Sequence, residues 1–361
     1  MSPERIAAIG FCLVMTSEAA TGQSARDTAA QGQTAPASTV VERTYAGGDV
    51  APWRRVQTRS ASGSREVVVE TFEAPDIEGR LAPAEEIVVE TNRTVPNTTQ
   101  TRRDVFRFAE DGRRTLSEAT DSVRETLANG DARAIHDTSA PDLDGRVSLT
   151  VRQIEQTRSA PLDAHETDIT LLRPDLDDTL RATERTEYSE RLIDPATVRH
   201  DRTVLVRDIN GRWQPVEVRG GQARIAGSEH TEEETVQRRD VNGTLAVEEK
   251  YVSRRSTANG QEDVVIETHA PYADGSSRLA LSQRVHRTTT ATADGGSYTV
   301  EEIESRNPAA PGDPMRLTSR TVTTVRQIGS GRWVTERQVF ERDVNGRLQL
   351  VVNETEDRVG G

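Results

Sequence analysis

The sequence predicts an all-β fold: an antiparallel meander of about nine tandem hairpin repeats of about 33 residues each. Three observations predict it. A turn motif, Asp-x-Asn-Gly-Arg, recurs along the chain. A second series of Gly, Asn and Pro positions falls midway between its copies. The segments between are rich in Val and Thr and poor in glycine, as strands require.

The motif appears as Asp76-Ile-Glu-Gly-Arg80, Asp142-Leu-Asp-Gly-Arg146, Asp208-Ile-Asn-Gly-Arg212, Asp240-Val-Asn-Gly-Thr244 and Asp343-Val-Asn-Gly-Arg347. Asp175-Leu-Asp-Asp-Thr179 is a degenerate copy, and Glu110-Asp-Gly-Arg113 and Asp274-Gly275 are looser ones. The second series runs through Gly63, Asn97, Asn129-Gly130, Asp163, Pro195, Gly227, Asn259-Gly260, Gly295 and Gly331. Two turn series interleaved at half a period mean two strands per repeat, about 18 in all.

Turn chemistry sets the register. Aspartate suits the first position of a type I turn and glycine the left-handed position that follows, giving a three-residue hairpin loop. Asp208 then faces Arg212 as an ion pair, and Arg207 faces Trp213 in a cation–π contact. The same register puts Pro75 opposite Leu81, Pro141 opposite Val147 and Pro174 opposite Leu180, at pairs where a missing N–H costs little. Just after these turns the apolar residues alternate: Val147, Leu149, Val151; Leu180, Ala182; Leu245, Val247; Leu279, Leu281; Leu348, Leu350, Val352. Strict alternation would place each set on one face.

A strand of about 12 residues spans about 40 Å, and about 18 strands make a sheet roughly 85 Å wide. Sheets that wide curl or close. An extended, curled or superhelical sheet is the expectation, with a closed barrel or several smaller sheets as alternatives. Only 34% of the 361 residues are hydrophobic and 4% aromatic, which argues against stacked sheets around a thick core.

Residues 1–22 read as a signal peptide: Arg5, an apolar run from Ile6 to Met15, then small and polar residues. A short buried segment is the alternative. The run is too short to span a bilayer, so no membrane span is expected after signal removal. Residues 23–38 read as a flexible linker and 39–361 as the β-hairpin repeat domain. Cys12, the only cysteine, lies in the leader, so the mature chain is expected to have no disulfide, thiol nucleophile or cysteine metal site. The leader points to a secreted, periplasmic or cell-envelope location. A net charge of -13 disfavours a nucleic-acid partner, which needs a basic patch, and none is expected.

The segment Arg342-Asp-Val-Asn-Gly-Arg-Leu348 resembles the turns of YD-repeat (Rhs-type) β-sheet proteins, with arginine in place of their tyrosine and a longer repeat. The chain as a whole resembles secreted bacterial β-repeat proteins with Asp-x-Asn-Gly-Arg turns. The resemblance implies a β-sheet fold and carries over no site residue and no function.

Concentrated chemistry is not expected. The aspartate turns open like a calcium loop, but an arginine follows the glycine and the chain returns to strand, so turn chemistry is the better account. His136, His165, His200, His230, His269 and His286 lack ligand spacing. Acidic runs such as Glu85-Glu86 and Glu232-Glu233-Glu234 read as solvated strand faces. Trp53, Trp213 and Trp333 each adjoin an arginine and read as cross-strand packing rather than sugar platforms. The sequons at Asn92, Asn97, Asn242 and Asn353 are given no role. No catalytic, cofactor-binding or metal-binding residue is assigned, and no cofactor is expected.

These readings favour a non-enzymatic, exported structural or adhesive protein presenting an extended β surface, with an extracellular polymer or protein as the partner class. The alternatives are an outer-membrane-type β-barrel pore and a polysaccharide-binding module. The pore is disfavoured because Arg, Glu and Thr occupy both strand faces where a lipid-facing band needs apolar side chains.

Overall fold

The computed structural model describes residues 37–45, 53–160, 164–175, 177–240, 242–272, 278–307, 310, 312–329 and 331–359. The leader and most of the linker lie outside these residues, as do Asp163 and Asp274-Gly275.

Among the described residues, twenty strands form one antiparallel sheet. They are β1 (Ala37–Tyr45), β2 (Trp53–Ser62), β3 (Arg65–Pro75), β4 (Leu81–Asn92), β5 (Thr98–Phe108), β6 (Arg114–Thr126) and β7 (Ala132–Pro141). Next come β8 (Val147–Ala160), β9 (Ala164–Pro174), β10 (Leu180–Asp194), β11 (Thr197–Arg207), β12 (Trp213–Ala226), β13 (Glu229–Arg239) and β14 (Leu245–Ala258). The last are β15 (Gln261–Pro271), β16 (Leu279–Ala291), β17 (Ser297–Ser305), β18 (Arg316–Gln327), β19 (Arg332–Arg342) and β20 (Leu348–Val359). Every member of both turn series that lies in the described residues falls between two strands. The expected strand number of about 18 is low, because β1 precedes the first recognisable turn and patterning starts at Ala37 rather than Thr39.

Each strand pairs with its successor, and β1 pairs with both β2 and β20. Val40 lies opposite Arg54 on one side and Asp357 on the other. The ladder therefore returns to its start, and the expectation of an open, extended or superhelical sheet is corrected. Closure removes the two unpaired edges that an open sheet of this width would expose. At ordinary strand spacing and barrel tilt, a ring of twenty strands is about 40 Å across.

The turns behave as their chemistry dictates. The Asp208 N–H donates to Arg212 O (2.9 Å), the Gly211 N–H donates to Asp208 O (2.9 Å), and Gly211 has φ 76°. The loops at Asp76, Asp142, Asp240 and Asp343 repeat the pattern. Pro75, Pro141 and Pro174 pair with Leu81, Val147 and Leu180. The Asp–Arg contact differs from expectation. Oδ1 of Asp208 accepts the backbone N–H groups of Asn210 (2.8 Å) and Arg212 (2.9 Å), so the carboxylate caps the loop from within. Of these loops, Asp76 brings its arginine side chain near, with Arg80 Nε at 3.5 Å.

Ten pairings shift register once: nine do so on the even-numbered strand a few residues after a connection on the rim of these loops, and the tenth, β10–β11, does so at Ile193 by the opposite rim. The extra residue is a β-bulge, and several of the bulged residues are Ser or Thr. Their hydroxyls donate to the facing carbonyl: Thr150 to Thr138 O (2.9 Å), Ser282 to Thr268 O (2.9 Å) and Thr318 to Ile303 O (2.9 Å). The bulge splits two of the expected one-face sets and leaves Leu180 with Ala182, Leu245 with Val247 and Leu279 with Leu281 each on one face. Leu149 pairs with Ser139 and Val151 with Thr138, so these two side chains point to opposite faces. Leu350 and Val352 are separated in the same way. Bulges raise local twist and concentrate at barrel rims, where these lie.

Packing within the wall is thin. The buried apolar residues among those described are Val105, Ala119, Ala134, Val236, Val252 and Val264, and only Val236 is completely buried. Val236 sits between Arg219 and Glu249 on neighbouring strands, whose stems can cover it. Cross-strand pairs, each contributing about 0.2–1 kcal/mol, supply much of what a core would otherwise supply.

Candidate functional site

The wall carries charge in mid-strand on both faces. One set of directly opposed positions runs Val264, Arg287, Glu301, Thr321 and Val339 across β15 to β19. The opposite face runs Val265, His286, Glu302, Arg320 and Phe340 across the same strands. Ion pairs hold both: Arg219 with Glu217 (2.6 Å) on the first face, Arg284 with Glu267 (2.9 Å) on the second.

The wall departs most from its repeat at β11–β13. Gly220 and Gly221 interrupt β12 where the neighbouring repeats have side chains. A Cβ on Gly221 would lie 2.5 Å from His200 Nε2 and 2.4 Å from Glu233 O. The bare backbone lets the His200 ring lie across β12, and Nε2 comes within 3.5 Å of Glu234 on β13. The sequence signal for this was a glycine pair inside a strand, which marks close approach of another group.

Glu234 also receives Arg219 Nη1 (3.3 Å), and Glu217 joins Arg219 to Arg238 (2.9 Å). The result is a half-buried chain of alternating charge across three strands. Hydrogen bonding to Glu234 raises His200 above its ordinary pKa, and the same bond holds Glu234 below the usual carboxylate range. The His200 side chain is only 14% exposed. The chain contains no nucleophile beside a base. It can hold charge, change it with pH and fix three strands in register.

The other histidines are dispersed. His136 Nδ1 is 2.8 Å from Ser122 Oγ, and His286 Nε2 is 3.9 Å from Asp263. Among the described residues no group of three or more His, Cys, Asp or Glu side chains is placed to hold a metal ion. Trp213 lies under Arg207 at 4.9 Å, as the register requires. The side chain of Trp53 lies outside the described residues. No helix among the described residues is long and apolar enough to cross a membrane.

No family model matches this chain, and no curated protein matches it. Among solved structures it is similar to a mutant Rh. blastica porin, with 9% identity over 90% of this chain and 98% of the porin and a TM-score of 0.44. It is likewise similar to Pseudomonas aeruginosa OpdO, with 9% identity over 90% of this chain and 94% of that one and a TM-score of 0.46. A third is the siderophore receptor PirA of Pseudomonas aeruginosa, with 10% identity over 90% and 79% of the two chains and a TM-score of 0.45. At such scores the functional argument stands on the wall's own geometry.

Proposed function

We propose that this chain is a passive, non-enzymatic β-barrel of the bacterial cell envelope, a pore-type wall surrounding an aqueous passage rather than an open adhesive sheet. The observation that supports it is the pairing of β1 with both β2 and β20. Barrels of 16–18 strands already leave an aqueous channel, so a ring of twenty has room for water. Charged side chains on both faces suit a wall wetted inside and out. An arginine facing lipid at the bilayer midplane costs about 2–4 kcal/mol, and such residues recur on either face.

The closure is tested by a disulfide. The only native cysteine is Cys12, and Glu42 lies opposite Thr355 across the closing pair. The Glu42→Cys/Thr355→Cys variant should oxidise within one chain and migrate faster without reductant. A chain that stays uncrosslinked would mean an open sheet.

A second reading, an outer-membrane pore, is favoured by the even strand number, which lies in the range of transmembrane barrels. Fractionation separates the two. Release without detergent supports the water-standing barrel. Extraction only by detergent, with ion conductance in planar bilayers, supports the pore.

A further inference from the structure

The meander puts all the Asp-x-Asn-Gly-Arg loops on one rim, since each joins an odd strand to the next even one. Ala37, which opens β1, and Val359, which closes β20, belong to the opposite rim. The residue after the aspartate forms the tip of each loop. It is Ile77, Leu143, Ile209 and Val344 in the described copies, with exposures of 96%, 107%, 101% and 102%. The sequence has Leu176 and Val241 at the same position of two further copies.

Turn geometry does not explain this choice. The second position of a type I turn accepts most residue types, and a polar one would keep the loop soluble. The tips are nevertheless aliphatic in each of these four loops and stand clear of the wall, while the Ala109–Arg113 loop on the same rim, with the same backbone bonds, has Glu110 at that position.

We propose that this rim docks on the surface of a phospholipid bilayer, its aliphatic tips entering the boundary between headgroups and acyl chains. The spread of separate tips around one rim plane selects this occupant over a protein. The four described tips follow β3, β7, β11 and β19, four or more strands apart around the ring, and the sequence places Leu176 and Val241 after β9 and β13, two strands from their neighbours. Four strands span about 25 Å and two about 12 Å at ordinary strand spacing and tilt. A protein interface needs a contiguous patch, whereas a bilayer accepts isolated anchors anywhere on one plane. Charge on the loops is neutral to acidic, which favours a zwitterionic surface over an anionic one. The Asp208 and Asp343 loops each hold one acid and one base, the Asp76 and Asp142 loops two acids and one base, and the leading acid of each is engaged by backbone amides. Arg212 and Arg347 lie beside the tips, where lipid phosphate would meet them.

The test is flotation of the purified chain with phosphatidylcholine vesicles, with and without phosphatidylglycerol. The wild type should float with both and resist salt. The Ile77→Ser/Leu143→Ser/Ile209→Ser/Val344→Ser variant should lose about tenfold or more of the floating fraction, because anchoring scales with buried apolar area. Its strand dichroism should be unchanged, and leucine at the same four positions should preserve flotation. Wild-type chain left at the bottom of the gradient would overturn the proposal, as would a serine variant that floats equally. Light scattering covers the competing occupant: paired rings that the serine substitutions separate, with no flotation by either, would assign the rim to a second copy of this chain.

Discussion

The two rims of the barrel solve the same problem differently. On the rim of the aspartate loops, the five-residue pattern recurs with the same internal hydrogen bonds, and a bulge follows in the next strand. The opposite rim is mixed. Two-residue turns join β2 to β3, β12 to β13 and β14 to β15, where Ser62 pairs with Arg65, Ala226 with Glu229 and Ala258 with Gln261. Three-residue loops at Leu127–Asp131 and Ile328–Arg332 stand among them. A hairpin needs only a turn that fixes register, and several turns do so. The aspartate rim departs from its five-residue loop at the longer β15–β16 and β17–β18 connections, and a bulge still follows each: the connection sets the pairing and the bulge then resets which face each side chain takes.

Between the rims lies the exception at β11–β13, and the largest effect is expected there. Gly221→Val would drive a Cβ into Glu233 O and the His200 ring. It should destabilise the chain by about 1–3 kcal/mol or more through overpacking, read as a lower urea midpoint. A neutral outcome would mean that the wall at β12 yields as freely as a rim.

Gly211→Val sharpens the contrast at the aspartate rim. No atom lies within 4 Å of the added Cβ, so strain from the positive φ is the whole cost. A loss of about 1–2 kcal/mol is expected. Asp208→Ala removes two charge-assisted acceptor contacts from exposed amides that water can partly replace, so about 1 kcal/mol is expected. Either variant matching the loss from Gly221→Val would erase the difference between rim and wall.

The smallest effects are those of pH, and they run in opposite directions. Backbone donation from Arg80 holds the Asp76 carboxyl below its ordinary value. Its contribution is present above about pH 4 and is lost as pH falls through the lowered value. Acid titration should shift the amide resonances of Glu78 and Arg80 together. His200 is raised, so its pairing contributes fully below about pH 6.5 and is lost as pH rises through the raised value. The melting temperature should slip slightly on the alkaline side, and His200→Gln should abolish that slope.

What was legible in the sequence is local. Asp-x-Asn-Gly-Arg specifies its loop within five residues, and the Pro75–Leu81 and Arg207–Trp213 pairs follow from it by counting. Strand identity followed from β-branched content over a dozen residues. The bulges escaped because an extra residue leaves no mark in composition: Leu149 and Val151 alternate perfectly on paper and still face opposite ways. The pairing of His200 with Glu234 escaped because 34 positions of chain separate residues that one bare glycine brings together. Closure escaped for the same reason on a larger scale. Whether β1 meets β20 depends on twist, tilt and bulge summed around twenty strands, and no window of sequence contains that sum. The chain's own residues determined how each hairpin pairs, and only the tertiary structure decided that the hairpins form a ring.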